Sequence, residues 1–322
     1  MYDILFSMSI ILIKFIMNNK KIDGLIAAPF TPFDESGNLN LDIIPSYYNL
    51  LKSNGVTGAF ICGSTGEGVS LTFSEKVDVL KAWTNLTKHD TDFALIMFLG
   101  GTNIKECKEL AKISEENGAD AISFTSPFYF KPANVMQLAK CCAEIAAVAP
   151  NTAFYYYHIP VLTGGNFAMY DLLREIDGKI PTFTGIKYTH EDFMDFLSCM
   201  NFQNGKYNML WGRDENMLSS LVLGCTGAVG STYNYAAPLY LDLMKAYDAG
   251  ELDKANTLQQ KSIDMIRLLG KYGGIATGKA YMKLVGVDCG EFRLPVANMS
   301  DESFVQFQED VVSLDFDIFK SV

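Results

Sequence analysis

The stretch "GLIAAPFTPFDESG", residues 24–37, begins as an apolar β-strand and then does not become a nucleotide-binding turn. An open doubly wound sheet that holds a dinucleotide carries a glycine-rich loop directly after its first strand. Here "APFTPFDESG" stands in that place, which counts against the open sheet. Seven further apolar runs repeat the strand signal: "TGAFIC" at 57–62, "FALIMFL" at 93–99, "DAISFT" at 120–125, "AFYYY" at 153–157, "TFTGIK" at 182–187, "YNMLW" at 207–211 and "GAVGS" at 227–231. Between them lie helical periods such as "SEKVDVLKAWTNLTK", where Thr72 and Glu75 have the spacing of a capping box. Strand starts roughly 20 to 36 residues apart suit βα units, whose crossovers make parallel strands. Eight such units predict an α/β fold, a (β/α)8 TIM barrel.

After residue 232 the pattern turns helical, in "APLYLDLMKAYDAG", "ELDKANTLQQKSIDMIRLLGKYG", "TGKAYMKLVG" and "DESFVQFQEDVVSL". The chain therefore divides into an amino-terminal extension at 1–21, a barrel at 22–232 and an extra carboxyl-terminal helical region at 233–322. That last region is expected to cover the barrel's flank or to mediate subunit contacts. The extension contains "ILFSMSIILIKFIM", which is short for a membrane span and is followed by "NNKK", a poor cleavage site. A tail or helix is the preferred reading, with a secretion signal or anchor as the alternative.

Composition narrows the partners. The 322 residues carry a formal charge of -11 with no basic cluster, so nucleic acid and anionic membranes are poor partners. A small anionic molecule remains, provided local groups bind it against the global field. Seven cysteines without a CxxC pair read as buried thiols in a reducing, cytoplasmic compartment. Three histidines without metal-ligand spacing give no expectation of a metal site or of a histidine-based triad.

Function in such a barrel gathers at the carboxyl ends of the strands. Strand two runs into "GSTGEG", 63–68, whose glycines let the backbone turn tightly while Ser64 and Thr65 add hydroxyls. That cradle suits a carboxylate or a phosphate. Strand five ends "FYYYHIP", and period two puts Tyr155 and Tyr157 on one face with Tyr156 on the other. Strand six ends at Lys187, with Gly185 below it on the same face and expected to leave space beneath the lysine stem. Burial there favours the neutral amine that attack on a carbonyl requires. Strand seven leads into "LWGRDE", which sets Asp214 and Glu215 at a polar rim. A carboxylate cradle, a phenol, a crowded lysine and a polar rim together suit aldol or retro-aldol chemistry on a 2-keto acid.

The motifs "GSTGEG", "YYYHIP", "GIKYT", "WGRDE" and "GAVGSTYN", in this order, resemble the dihydrodipicolinate synthase/N-acetylneuraminate lyase family, and its lyase branch in particular. The resemblance runs from about residue 22 to 310 and leaves the extension unexplained. It implies a metal-free and cofactor-free class I aldolase or lyase, usually a homotetramer, in which Lys187 forms the Schiff base and Tyr157 is the acid/base. It also implies that Ser64 and Thr65 bind the pyruvate carboxylate. Tyr129, in "SPFYF", would extend toward an adjacent subunit's site and join a hydroxyl relay with Ser64. Thr189, Gly212, Asp214, Glu215, Gly230 and Ser231 would contact the sugar part of sialic acid, with N-acetylmannosamine and pyruvate as products.

Two departures stand out: His158 replaces the asparagine found in many bacterial members, and Arg213 sits between Gly212 and the acid pair. Leu162 occupies the place where synthases of the family carry an arginine for the carboxylate of aspartate semialdehyde. A related pyruvate-dependent aldolase, such as that synthase or a keto-deoxy-sugar-acid aldolase, is the alternative activity. A catalytically silent keto-acid-binding barrel is the alternative of another class.

Overall fold

The structure is a computed structural model and describes residues 21–322. The expectations for the amino-terminal extension fall almost wholly on residues 1–20, outside the described residues. Eight parallel strands close into a barrel in sequence order: β1 (Gly24–Ala27), β2 (Gly58–Ile61), β3 (Ala94–Gly100), β4 (Ala121–Thr125), β5 (Ala153–His158), β6 (Phe183–Tyr188), β7 (Asn208–Trp211) and β8 (Gly227–Gly230). Every strand expected from the sequence is present, and the boundaries move by a few residues. The largest shift is at β1, where the apolar run continues to Phe30 but the strand stops at Ala27. Pro29 has no amide hydrogen to extend the ladder, and the Phe30 amide turns aside to donate to the Tyr47 hydroxyl at 3.2 Å.

The described chain forms two compact units, one built on residues 96–210 and one on residues 23–95 and 211–322. In the first, β4, β5 and β6 are buried along their whole length, as expected of parallel strands covered on both faces. Register fixes what lies beside what. Thr125 of β4 pairs with Tyr157 of β5, and Tyr157 in turn pairs with Lys187 of β6. The connecting helices start on side-chain caps: Asn103 accepts from the Glu106 amide, Asn134 from Gln137 and Asp192 from Asp195.

In the second unit, β1 pairs with β2 and β8. The helix at Phe73–Thr87 has the expected capping box. The Thr72 hydroxyl accepts from the Glu75 amide at 3.2 Å, and the Glu75 carboxylate accepts from the Thr72 amide at 2.8 Å. The chain after residue 232 supplies helices at Tyr233–Asp248, Leu252–Lys271, Thr277–Leu284 and Asp301–Ser313. The first is broken at Ala236, two residues before Pro238, whose ring denies it the usual helical hydrogen bond. The carboxyl terminus tucks back onto the unit, with the Val322 amide donating to Asn54 Oδ1 at 3.0 Å. All seven cysteines are free; six are buried, as expected, and Cys141 is only partly so. No helix among the described residues is long and apolar enough to cross a membrane.

Candidate active site

The unit of residues 96–210 holds the lysine and the tyrosine. As register partners on adjacent strands, Tyr157 and Lys187 present their side chains on one face. Lys187 Nζ lies 4.1 Å from the centroid of the Tyr157 ring, and both residues are 4% exposed. The Phe98 ring meets the Tyr157 ring edge-on at 5.7 Å and limits how it can tilt. One layer down, Tyr155 pairs with Gly185 and donates its hydroxyl to Asn208 Oδ1 at 2.8 Å.

Gly185 corrects one expectation. It does not leave empty space under the lysine stem, because neighbours occupy that space: a Cβ there would fall 1.8 Å from the Asn208 carbonyl oxygen and 3.0 Å from Tyr155 Cε1. The glycine is needed for close approach, and the residue below the lysine is packed rather than hollow.

His158 ends β5 on the face opposite Tyr157. It is buried against Tyr188 and His190, with ring centroids 5.0 and 5.6 Å away. Burial pushes its pKa down to about 3, so at neutral pH it is an uncharged packing residue. Thr189 donates its amide to the His158 carbonyl at 2.8 Å, and its buried hydroxyl has no hydrogen-bond partner among the described residues. Leu162 sits exposed in the single turn Pro160–Thr163 that follows β5. Tyr129 is 77% exposed on the loop after β4, packed edge-on against Phe130.

The other unit holds the glycine turn and the acid pair. Cys62 and Glu67 bracket the turn with φ angles of 57° and 55°, a region that non-glycine residues seldom enter. Gly68 must be glycine because a Cβ there would fall 1.7 Å from the Cys62 carbonyl oxygen. The Thr31 hydroxyl donates to the Gly66 carbonyl at 2.6 Å and ties the turn to the segment after β1. Thr65 is buried and Ser64 half-buried.

Of the two acids expected at a polar rim, Glu215 is partly exposed but Asp214 is not a rim residue. Asp214 is 5% exposed, and its Oδ2 accepts from the Thr232 amide at 3.0 Å and the Thr232 hydroxyl at 2.6 Å. Its Oδ1 occupies the space a Cβ on Gly230 would need, 1.9 Å away, so Gly230 is the residue that admits the carboxylate. Burial raises the Asp214 pKa to about 6, against the opposing pull of the Thr232 donors. Glu215 is salt-bridged to Arg213 at 2.8 Å, so the arginine between Gly212 and the acids has a partner in the same loop. Ser231 accepts at its carbonyl from Asn234 Nδ2 at 2.7 Å.

Sequence reasoning missed Glu67. It is 4% exposed, ion-paired with Lys279 at 3.0 Å, and accepts from the Arg293 amide at 2.9 Å. The available signal was a carboxylate between two glycines in an otherwise neutral turn, together with cations in the carboxyl-terminal region.

These features define a (β/α)8-barrel enzyme with a buried amine on its sixth strand beside a phenol on its fifth. The chain belongs to the dihydrodipicolinate synthetase family, whose model matches residues 21–313. It is 40% identical over 301 residues to the N-acetylneuraminate lyase of Mus musculus, covering 92% of this chain and 94% of the relative. The solved N-acetylneuraminate lyase of Proteus mirabilis superposes with a TM-score of 0.89 at 36% identity, over 92% of this chain and all of that one. A dihydrodipicolinate synthase from Bacillus anthracis superposes at 0.84 with 25% identity, over 90% of this chain and 98% of that one.

Proposed function

We propose that the protein is a class I lyase that cleaves N-acetylneuraminate to N-acetylmannosamine and pyruvate through an imine on Lys187. The observation that carries this reading is the buried Lys187 Nζ held 4.1 Å from the Tyr157 ring centroid. Relatives named for this activity, at 40% identity across nearly the whole chain, support the choice of substrate.

In this reaction the Lys187 amine attacks C2 of the open-chain keto acid, and loss of water gives a protonated imine. Ser64 and Thr65 hold the carboxylate. Tyr157 takes the proton from the C4 hydroxyl, the C3–C4 bond breaks, and its electron pair moves into the imine to give an enamine. N-acetylmannosamine leaves as the aldehyde. The enamine is then protonated at C3 and hydrolysed to pyruvate, freeing the lysine. A positioned acid/base of this kind contributes about 10² to 10⁴ in rate. Thr189, Gly212, Asp214, Glu215, Gly230 and Ser231 are the proposed contacts to the sugar.

Borohydride reduction in the presence of pyruvate tests the core of this reading. One pyruvate-derived adduct per chain is expected, mapped by peptide mass spectrometry to Lys187. An adduct on another lysine, or none, sinks it. A second assay fixes the acceptor, because the exposed Leu162 offers no donor to the carboxylate of aspartate semialdehyde. N-acetylneuraminate is expected to turn over, while pyruvate plus aspartate semialdehyde gives almost nothing; the reverse preference moves the assignment to the synthase.

The working assembly in this reading is a cytoplasmic homotetramer in which the exposed Tyr129 completes a neighbour's site. Residues 22–232 form its barrel and residues 233–322 a helical region packed on it. A fully active monomer in sedimentation at assay concentration removes that role for Tyr129.

A further inference from the structure

The glycine turn at 63–68 is fastened by charges that come from the far end of the chain. Glu67 and Lys279 form a 3.0 Å ion pair with both side chains under 5% exposed. Lys279 Nζ also donates to the Glu291 carbonyl at 2.9 Å and sits 4.5 Å and 4.8 Å from the ring centroids of Phe33 and Phe292. The second Glu67 oxygen accepts from the Arg293 amide. The Arg293 side chain, stacked 4.2 Å from Phe33, reaches the Gly37 carbonyl and the Glu75 carboxylate. Segments 279–293, 33–37, 67 and 75 are thus joined in one cluster, buried at the Glu67–Lys279 pair and partly exposed where Arg293 meets Glu75.

An ion pair this dry is an expensive way to gain stability, since an apolar pair of the same volume often does as well or better. What a charge pair adds over apolar contact is direction. Glu67 needs direction because its backbone stands at φ 55°, a conformation that persists only when the surroundings enforce it. The residues three and two positions before it, Ser64 and Thr65, are the ones proposed above to hold the carboxylate. Their placement depends on the turn that Glu67 closes, where its amide donates to the Ser64 carbonyl at 3.2 Å.

We infer that the buried Glu67–Lys279 pair, capped by Arg293, is a positioning device that presets the 63–68 turn for the keto-acid carboxylate, so that the carboxyl-terminal region tunes the affinity for pyruvate. Glu67, Lys279 and Arg293 are positioning residues that act through the turn and do not touch substrate. The inference rests on the aldolase reading, and preorganisation is its physical basis.

The test uses the full chain and pyruvate trapping by borohydride, read by intact mass across a range of pyruvate concentrations. It compares wild type with Glu67→Gln, Lys279→Met and the double variant, and records circular dichroism and melting temperature for each. Both single variants are expected to raise the pyruvate concentration for half-maximal trapping about tenfold or more. The fraction trapped at saturation should stay at the wild-type level, because Lys187 is untouched. The double variant carries no uncompensated buried charge, so it should regain melting temperature while keeping the raised half-saturation. It also decides the matter if the single variants do not fold. A folded double variant with wild-type half-saturation overturns the inference and leaves the pair a purely structural contact. Wild-type protein that traps no pyruvate overturns the aldolase reading, and this inference with it.

Discussion

The lysine region and the glycine-turn region hold their key residues by opposite means. Around Lys187 the means are apolar and aromatic: β5 and β6 are buried throughout, Phe98 braces Tyr157, and Tyr155 fills the layer below. Around the glycine turn they are ionic and polar: Glu67 with Lys279, and Glu75 with Arg293. The difference follows from the backbone. On a strand the ladder already fixes each side chain's direction to one of two faces, so packing has only to choose the rotamer. In a turn with positive φ the ladder has ended, and directional side-chain bonds must do what the ladder did.

Substitution can break this contrast at either end. The largest effect is expected at Lys187→Ala, with turnover and the pyruvate adduct both lost while circular dichroism is unchanged. Lys187→Arg should fail equally, because a guanidinium stays protonated. A surviving adduct in either variant ends the claim that the lysine region alone makes the bond. Tyr157→Phe comes next: it keeps the ring contact with Phe98, so the protein should fold and still trap pyruvate, while kcat falls by about 10² to 10⁴.

Smaller effects separate the two regions by mechanism. Gly185→Ala should destabilise the lysine region by overpacking, at a cost of about 1–3 kcal/mol or more, since its Cβ collides with a backbone carbonyl that has little freedom to move. Denaturant titration reads this directly, and the loss should be insensitive to salt. Asp214→Asn should show itself through pH. The carboxyl titrates near 6 in the folded protein, above its usual value of 3.8, so the folded state holds the extra proton between those limits. Wild-type stability therefore has a falling contribution as pH rises from about 4 to about 6, constant above that window. The amide variant lacks this contribution, and its melting temperature should fall less over the same interval; identical slopes refute the assignment. The smallest change is expected for Glu75→Gln. Its hydrogen bonds from Arg293 hold the carboxyl down at about 2, so that support is present above pH 4.5 and lost as pH falls through 2. Partial exposure limits its worth at neutral pH to about 1 kcal/mol or less.

The two regions also differed in how far they could be read from sequence. Lys187, Tyr157 and Gly185 announce themselves by position, because alternation along a strand tells which residues share a face and strand ends are visible as composition changes. Even there the role of Gly185 was misjudged, since the residue that fills its space, Asn208, comes from another strand. In the other region, "GSTGEG" is recognisable as a turn, but Glu67 is not recognisable as buried. Asp214 reads as a rim acid in a polar loop, and only Thr232 and Gly230 turn it into a buried acceptor.

By itself the sequence determined the number and order of the strands, the helix caps such as Thr72 with Glu75, and the placing of a lysine and a tyrosine at neighbouring strand ends. All of these depend on local period and on short-range hydrogen bonds, which a linear string records. Only the tertiary structure decided that Lys279 and Arg293 belong to the turn at Glu67, the latter across 226 residues. Spacing cannot select one pair among 26 basic and 37 acidic side chains. Burial makes the selection, because a charge removed from water is tolerated only beside the partner that the fold brings to it.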